Sequence, residues 1–263
     1  MSFAVETVAP VTVASVPQPV AGSTVTSGTV AVTDSRSGSN PVNVSGNTTV
    51  ALGTENAGVR LTGGSPRVTI GLDANGNPLG VGGSVIDGRG ASNVTVDLAG
   101  GYFGGATVAQ ELIPTNAPVG AYNSYTSLST GSDSFLGSEF NDLVELSPGN
   151  DTIIGGGGDD AILMADSIKG SKKKFTLDGS GGNAGAGGSD TVTLTKGALK
   201  KGGKTKIEIS DYDFKQDTIQ LETKRSKVKG IGTDTLTIST KDNKTIKIIS
   251  DGTKFKRSGI EFI

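Results

Sequence analysis

The chain has no histidine, no cysteine and no tryptophan among its 263 residues. Without histidine, a His-ligated zinc protease site, a Ser-His-Asp triad and a Cys-His dyad are all excluded. Without cysteine there are no disulfides and no thiolate chemistry. Aromatic residues make up only 5% of the chain, so the core has to be thin and repetitive. No apolar run approaches the ~20 residues of a membrane-spanning helix. Residues 1–6 carry neither the basic region nor the apolar stretch of a secretory signal peptide. Lysine is missing from residues 1–168 altogether.

What is abundant is glycine, 41 residues, together with valine, threonine and isoleucine. Long amphipathic helical patterns are absent, so the expected class is all-β. The net charge of −2 points to no nucleic-acid partner, but its distribution is uneven. Residues 1–168 hold four basic residues against fifteen acidic ones, a balance of −11. Residues 169–263 hold twenty basic against eleven acidic, a balance of +9.

Residues 131–163 keep strict time. Asp133, Asp142, Asp151 and Asp160 fall nine residues apart. Two places after each stands an apolar residue: Phe135, Val144, Ile153 and Ile162. Two places before three of them stands a glycine (Gly131, Gly149, Gly158), with Phe140 in the remaining case. The last unit, residues 155–163, satisfies the pattern G-G-x-G-x-D-x-U-x in full. Glycines can take positive φ and turn their carbonyls inward, as Gly155 and Gly157 would here, and the aspartate adds a carboxylate to the same turn. The remaining three residues form a short strand whose middle side chain points inward. Two such units complete one coil of a parallel roll, so turns on one edge lie eighteen residues apart: Asp133 with Asp151, Asp142 with Asp160. Carboxylates stacked so closely repel one another if left bare. A hard cation with a preference for oxygen ligands, such as Ca²⁺, removes the repulsion.

With these motifs the sequence resembles the RTX proteins, whose haemolysin-type calcium-binding repeats have this nonapeptide. The clear resemblance covers residues 128–163. Leu128, Ser129, Ser138, Phe140, Leu146 and Ser147 each replace a repeat glycine. A looser unit at 185–192 adds Asp190 as a candidate ligand, and residues 209–221 look like the "I-x-D-F-x-x-x-x-D-x-I-x-L" segment common after such repeats, with Tyr212 in the aromatic slot. The resemblance implies a calcium-binding parallel β-roll and type I secretion through an uncleaved C-terminal signal. The ending at 261–263 is similar to the acidic-plus-apolar terminus of part of that family, and a plain edge strand would look the same.

The expected organisation has four parts. Residues 1–40 form an extended arm, in which Pro10, Pro17 and Pro19 favour an edge position; it docks on its own chain or reaches a neighbour. Residues 41–127 form a β-solenoid or β-sandwich, the solenoid being preferred for its recurring Gly-Gly pairs, with short strands near 48–52, 59–61, 67–70, 84–86 and 93–98. Residues 128–195 are the β-roll, and 196–263 a β cap carrying the secretion signal; from 175 to the end, strands are expected near 175–177, 191–195, 205–209, 217–221, 235–238, 245–249 and 261–263. Residues 73–77 resemble the start of an EF-hand loop, but Pro78 and Ser84 break that pattern and a plain turn is expected. The lysine run 169–174 reads as a solvated loop, and residues 200–203 as a hairpin turn, not a phosphate loop.

These features favour a secreted, non-enzymatic structural protein at the cell surface or outside the cell, self-assembling into a surface layer, filament or matrix through its N-terminal arm. A calcium-dependent adhesin or glycan-binding module, engaging a cell-surface polysaccharide through the 41–120 region, is the alternative; scarce aromatics count against sugar stacking, though a cluster of Tyr102, Phe103, Tyr122 and Tyr125 would serve it. An enzyme using carboxylates alone is the third reading; the first 168 residues offer it neither histidine nor lysine.

Overall fold

The structure is a computed structural model that describes residues 4, 6–17, 19, 24–33, 41–102, 105–165, 168, 171–177, 188–201, 204–239 and 245–263. Its strands alternate between two sheets, each coil giving one strand to each. The first sheet stacks Thr24–Val25, Val42–Val44, Gly58–Leu61, Ser84–Asp87, Ser124–Ser127, Asp142–Leu146, Ala161–Met164, Thr191–Leu194, Thr218–Leu221 and Ile260–Phe262. The second stacks Thr29–Val32, Thr49–Leu52, Arg67–Leu72, Thr95–Asp97, Ser134–Leu136, Thr152–Ile154, Lys172–Thr176, Thr205–Ser210 and Thr245–Ser250. All of these pairings are parallel and follow chain order, so the roll grows along one axis. Among the described strands the direction changes only at the end, where Thr235–Ser239 lies antiparallel to Thr245–Ser250 and Val228–Lys229 antiparallel to Thr235–Ser239.

Parallel pairing throughout makes residues 41–127 part of the same roll rather than a sandwich. Both sheets run without a break past positions 127 and 195. The expected strands near 48–52, 59–61, 67–70, 84–86 and 205–209 form, Val42–Val44 and Ser124–Ser127 add strands beyond the expected ones, and the apolar residues after each aspartate point inward. Phe135, Val144, Ile153 and Ile162 all lie between the sheets in one continuous core with Phe175, Val192 and Ile209. Each such burial is worth about 1.5–3 kcal/mol relative to exposure.

The outer faces are covered by excursions from the coil. Ser124 pairs with Asp142, eighteen residues on, but Ser84 pairs with Ser124, forty residues on. The excess chain folds over the first sheet, where Val108, Ile113 and Tyr122 pack on Val85, Tyr125, Leu143 and Leu163. Tyr122 and Tyr125 are therefore buried, Tyr102 is exposed, and Phe103 lies outside the described residues. The N-terminal segment covers the second sheet. Glu6 N–H donates to Ser134 Oγ (2.9 Å), Val8 N–H to Asp97 Oδ2 (2.8 Å), and Val11–Thr12 pairs with Gly71 and Leu72. Val13 sits on Ala31 and Ala51, and a Cβ added at Gly71 would lie 2.4 Å from its Cγ2, so only glycine fits there. The described part of the arm is thus engaged on its own chain, and its apolar face is not offered to a neighbour.

Three local expectations are corrected or settled. Residues 196–201 form an α-helix, not part of a hairpin. Thr195 starts it, its carbonyl accepting from Leu199 N–H (3.0 Å), while Ala198 and Leu199 join the core; Gly202 and Gly203 lie outside the described residues. The lysine run contributes a strand, Lys172–Thr176, in which Lys172 and Lys174 are exposed but Lys173 is fully buried; 169 and 170 lie outside the described residues. Asp73 Oδ1 accepts the N–H groups of Asn75 and Asn77, both at 2.8 Å, which closes residues 73–77 as a turn. At the far end Tyr212 packs against Phe255 (centroids 5.1 Å apart) and its hydroxyl donates to Gly259 O (3.0 Å).

Candidate metal centre

Register places one residue of each coil at the turn that enters each sheet. Entering the first sheet, the column reads Ser84, Ser124, Asp142, Asp160, Asp190, Asp217. Entering the second, it reads Val94, Asp133, Asp151, Lys173. The pairing of Asp133 with Asp151 and of Asp142 with Asp160 is the one that the nine-residue period requires.

All six aspartates are buried, at 5% exposure or less, and all but Asp142 accept a backbone N–H from the coil before them. Asp142 N–H donates to Asp160 Oδ1 (2.8 Å), Asp160 N–H to Asp190 Oδ1 (2.8 Å), and Asp190 N–H to Asp217 Oδ1 (3.1 Å). On the other edge Asp133 N–H donates to Asp151 Oδ1 (3.2 Å), and Val94 N–H to Asp133 Oδ1 (2.6 Å). Asp142 instead accepts from the Ser124 hydroxyl (2.6 Å). One oxygen of each carboxylate is therefore spent on joining coils.

The second oxygens have different fates. Asp142 Oδ2 accepts from Ser138 N–H (2.7 Å) and Ser138 Oγ (2.9 Å). Asp217 Oδ2 accepts from Asp213 N–H (2.7 Å). Asp151 Oδ2 pairs with the Lys173 ammonium. Asp133 Oδ2 and Asp160 Oδ2 are buried and receive no hydrogen bond, although Ser129 Oγ caps the other oxygen of Asp133 (2.7 Å). Burial pushes the Asp133 and Asp142 carboxyls up to about 6. Asp160 is raised well above the ordinary range, first by burial and then by the charges of Asp142 and Asp190. Asp151 is raised by burial against the opposing pull of Lys173.

These turns need glycine. Gly156 and Gly158 stand at φ +110 and +88, and a Cβ on Gly156 would lie 1.9 Å from Ser138 O. A Cβ on Gly155 would lie 2.5 Å from Asp160 Oδ2 and 2.6 Å from Leu177 O, so Gly155 leaves open the space beside that oxygen. Gly157 N–H donates to Ser138 O (2.8 Å) and ties its turn to the previous one. Gly185 and Gly187 of the looser unit lie outside the described residues; Gly188 packs on Gly158 O.

Among the described residues no three acidic side chains converge on one point. A bound cation would therefore draw on turn carbonyls as well as carboxylates, which is the donor set of a hard ion taking six to eight oxygens. The donors present fit Ca²⁺. A buried carboxylate oxygen without a partner is costly, and Asp160 Oδ2 and Asp133 Oδ2 are two such oxygens. Sequence reasoning identified Asp133, Asp142, Asp151, Asp160 and Asp190, but neither Asp217 as the next rung nor the serine caps. The caps had a visible signal: a serine four places before Asp133 and before Asp142.

Residues 129–162 match the family model of the RTX calcium-binding nonapeptide repeat, in four copies. No curated protein matches the chain.

Proposed function

We propose that this chain, whose residues 129–162 match the RTX calcium-binding repeat, is a secreted, calcium-binding, non-enzymatic structural protein whose rolls associate end to end into a surface layer, filament or extracellular matrix. RTX repeat proteins are generally secreted, and among the described residues no helix is long and apolar enough to cross a membrane.

The observation that carries the reading is the chain-order stacking of the coils. It converts the charge split of the sequence into two ends of one body, acidic before residue 169 and basic after it. Calcium lowers the negative charge of the repeats but leaves Glu55, Asp73, Asp87 and Glu111, which lie outside them. A contact between unlike ends does not close on itself unless its rotation makes a ring, so it gives open polymers. Charge orients the encounter. The stacking surface is the pair of roll ends: Thr24–Val25 and Thr29–Val32 at one, Ile260–Phe262 and the 228–239 hairpin at the other. Pro17 O takes Ala31 N–H (3.1 Å), which covers part of the first of these. Because residues 6–16 already pack on their own sheet, the ends and not the arm are the joining elements.

Electron microscopy and light scattering of the full chain test this. Ordered polymers in millimolar calcium at low salt, dispersed by high salt, are expected. A protein that stays monomeric under both conditions overturns the proposal.

A further inference from the structure

Lys173 is a fully buried lysine where every other described lysine side chain is exposed, and neither the repeat pattern nor the calcium reading uses it. It stands in the column of Asp133 and Asp151, at the place where the opposite edge continues with a further aspartate. Its side chain turns back into the preceding coil. There the ammonium pairs with Asp151 Oδ2 and donates to Ser147 O (2.6 Å). Ser147 is the second residue of the repeat that contains Asp151.

We propose that Lys173 takes the place of a calcium ion at the turn of Asp151. The two groups it holds, one carboxylate and one turn carbonyl, are the hard oxygen donors that a calcium ion would take. A compact ammonium on a flexible stem can meet such donors as a point charge. The comparison lies within the same roll. Asp160, in the complete repeat, has neither a lysine nor a serine at its second oxygen, and that oxygen is left without a hydrogen bond. The Lys173 charge also acts on Asp133, one coil below Asp151. A tethered cation cannot be removed by dilution or chelation. The edge holding Asp133 and Asp151 is therefore fastened without calcium at its upper turn, and the edge holding Asp142, Asp160, Asp190 and Asp217 responds to the ion. The roll is calcium-dependent on one side more than on the other.

The test uses Lys173→Met, which keeps the stem and removes the charge, in the full chain. Calcium stoichiometry is measured by isothermal titration calorimetry, and melting is followed in chelator and in millimolar calcium. The variant should bind about one more calcium than the parent. It should melt well below the parent in chelator and close to it in calcium. Adding Asp151→Asn should abolish the extra ion. An unchanged stoichiometry overturns the proposal, because Lys173 is then a structural ion pair only. Equal melting losses with and without calcium overturn it likewise, as does a variant that fails to fold even in calcium, since the ion then cannot replace the ammonium.

Discussion

Asp142 and Asp160 lie in register on adjacent coils, and the backbone N–H of the first donates to Oδ1 of the second at 2.8 Å. The same side chain that faces the metal-binding turn therefore also holds two coils together. Folding and ion binding are coupled through one carboxylate: each coil is fastened by a group whose charge the next coil must tolerate. Asp160 receives this bond on one oxygen only.

Calcium should accordingly drive folding of the repeat region. Circular dichroism at neutral pH should show the β signal weakened in chelator and restored by calcium in the ~10⁻⁴–10⁻³ M range typical of extracellular sites. A β signal indifferent to chelator rules this out.

Individual aspartates should matter unequally. Asp160→Ala removes the carboxylate of the complete repeat, where no side chain competes with the ion. Asp142→Ala removes one whose second oxygen is already held by Ser138. The first should weaken calcium binding at least about tenfold, the scale of changes around metal ligands, and the second by clearly less. Equal losses in a calcium titration would show that repeat completeness does not set affinity.

Strands and the eighteen-residue coil were legible because both rest on local chemistry: a period-two apolar lock and turns that need glycine. Lys173 was not legible, because the coil between Thr152 and Lys174 runs to twenty-two residues and loses the nine-residue phase. Asp190 and Asp217 follow coils of thirty and twenty-seven residues. Asp190 kept a recognisable glycine context and was found, while Asp217 had none and was missed as a rung. Three consecutive lysines read as solvent-facing, since nothing in their composition says that the middle one points inward. The helix Lys196–Lys201 was hidden by the Gly202-Gly203 pair, a turn signal that outweighed the packing of Ala198 and Leu199.

Stability should respond to pH in opposite senses with and without calcium. In chelator the raised carboxyls of Asp133 and Asp142, pushed up to about 6, keep protons that the unfolded chain releases near pH 4. Stability then falls as pH rises from about 4 to about 6, by at most roughly 3 kcal/mol per group. Asp73 and Asp213, held low by bonds from Asn77 and Lys215, pull the other way but are surface groups of small weight. In calcium the ion selects ionised carboxylates, so stability rises over the same window. Denaturation midpoints at pH 4.5 and 7.5 check this, and a midpoint in chelator that rises with pH contradicts it.

The last prediction concerns a serine that does part of the ion's work. Ser138 occupies the slot that Gly156 holds one coil later, and its N–H and hydroxyl both satisfy Asp142 Oδ2. Ser138→Gly completes that position of the repeat and leaves the oxygen with the backbone N–H alone. In chelator the change should cost about 1–2 kcal/mol, from the lost hydrogen bond and the added freedom of glycine in the unfolded chain. In calcium the loss should shrink, and calcium affinity should rise, because the ion takes over what the hydroxyl supplied. The reverse exchange cannot work the same way. Gly156 stands at φ +110 with Ser138 O where its Cβ would be, whereas Ser138 lies outside the left-handed region. Gly156→Ser should therefore destabilise the roll in calcium and chelator alike. If Ser138→Gly lowers calcium affinity instead, the hydroxyl is a ligand and not a substitute, and the two serine caps at Asp133 and Asp142 belong to the metal sites themselves.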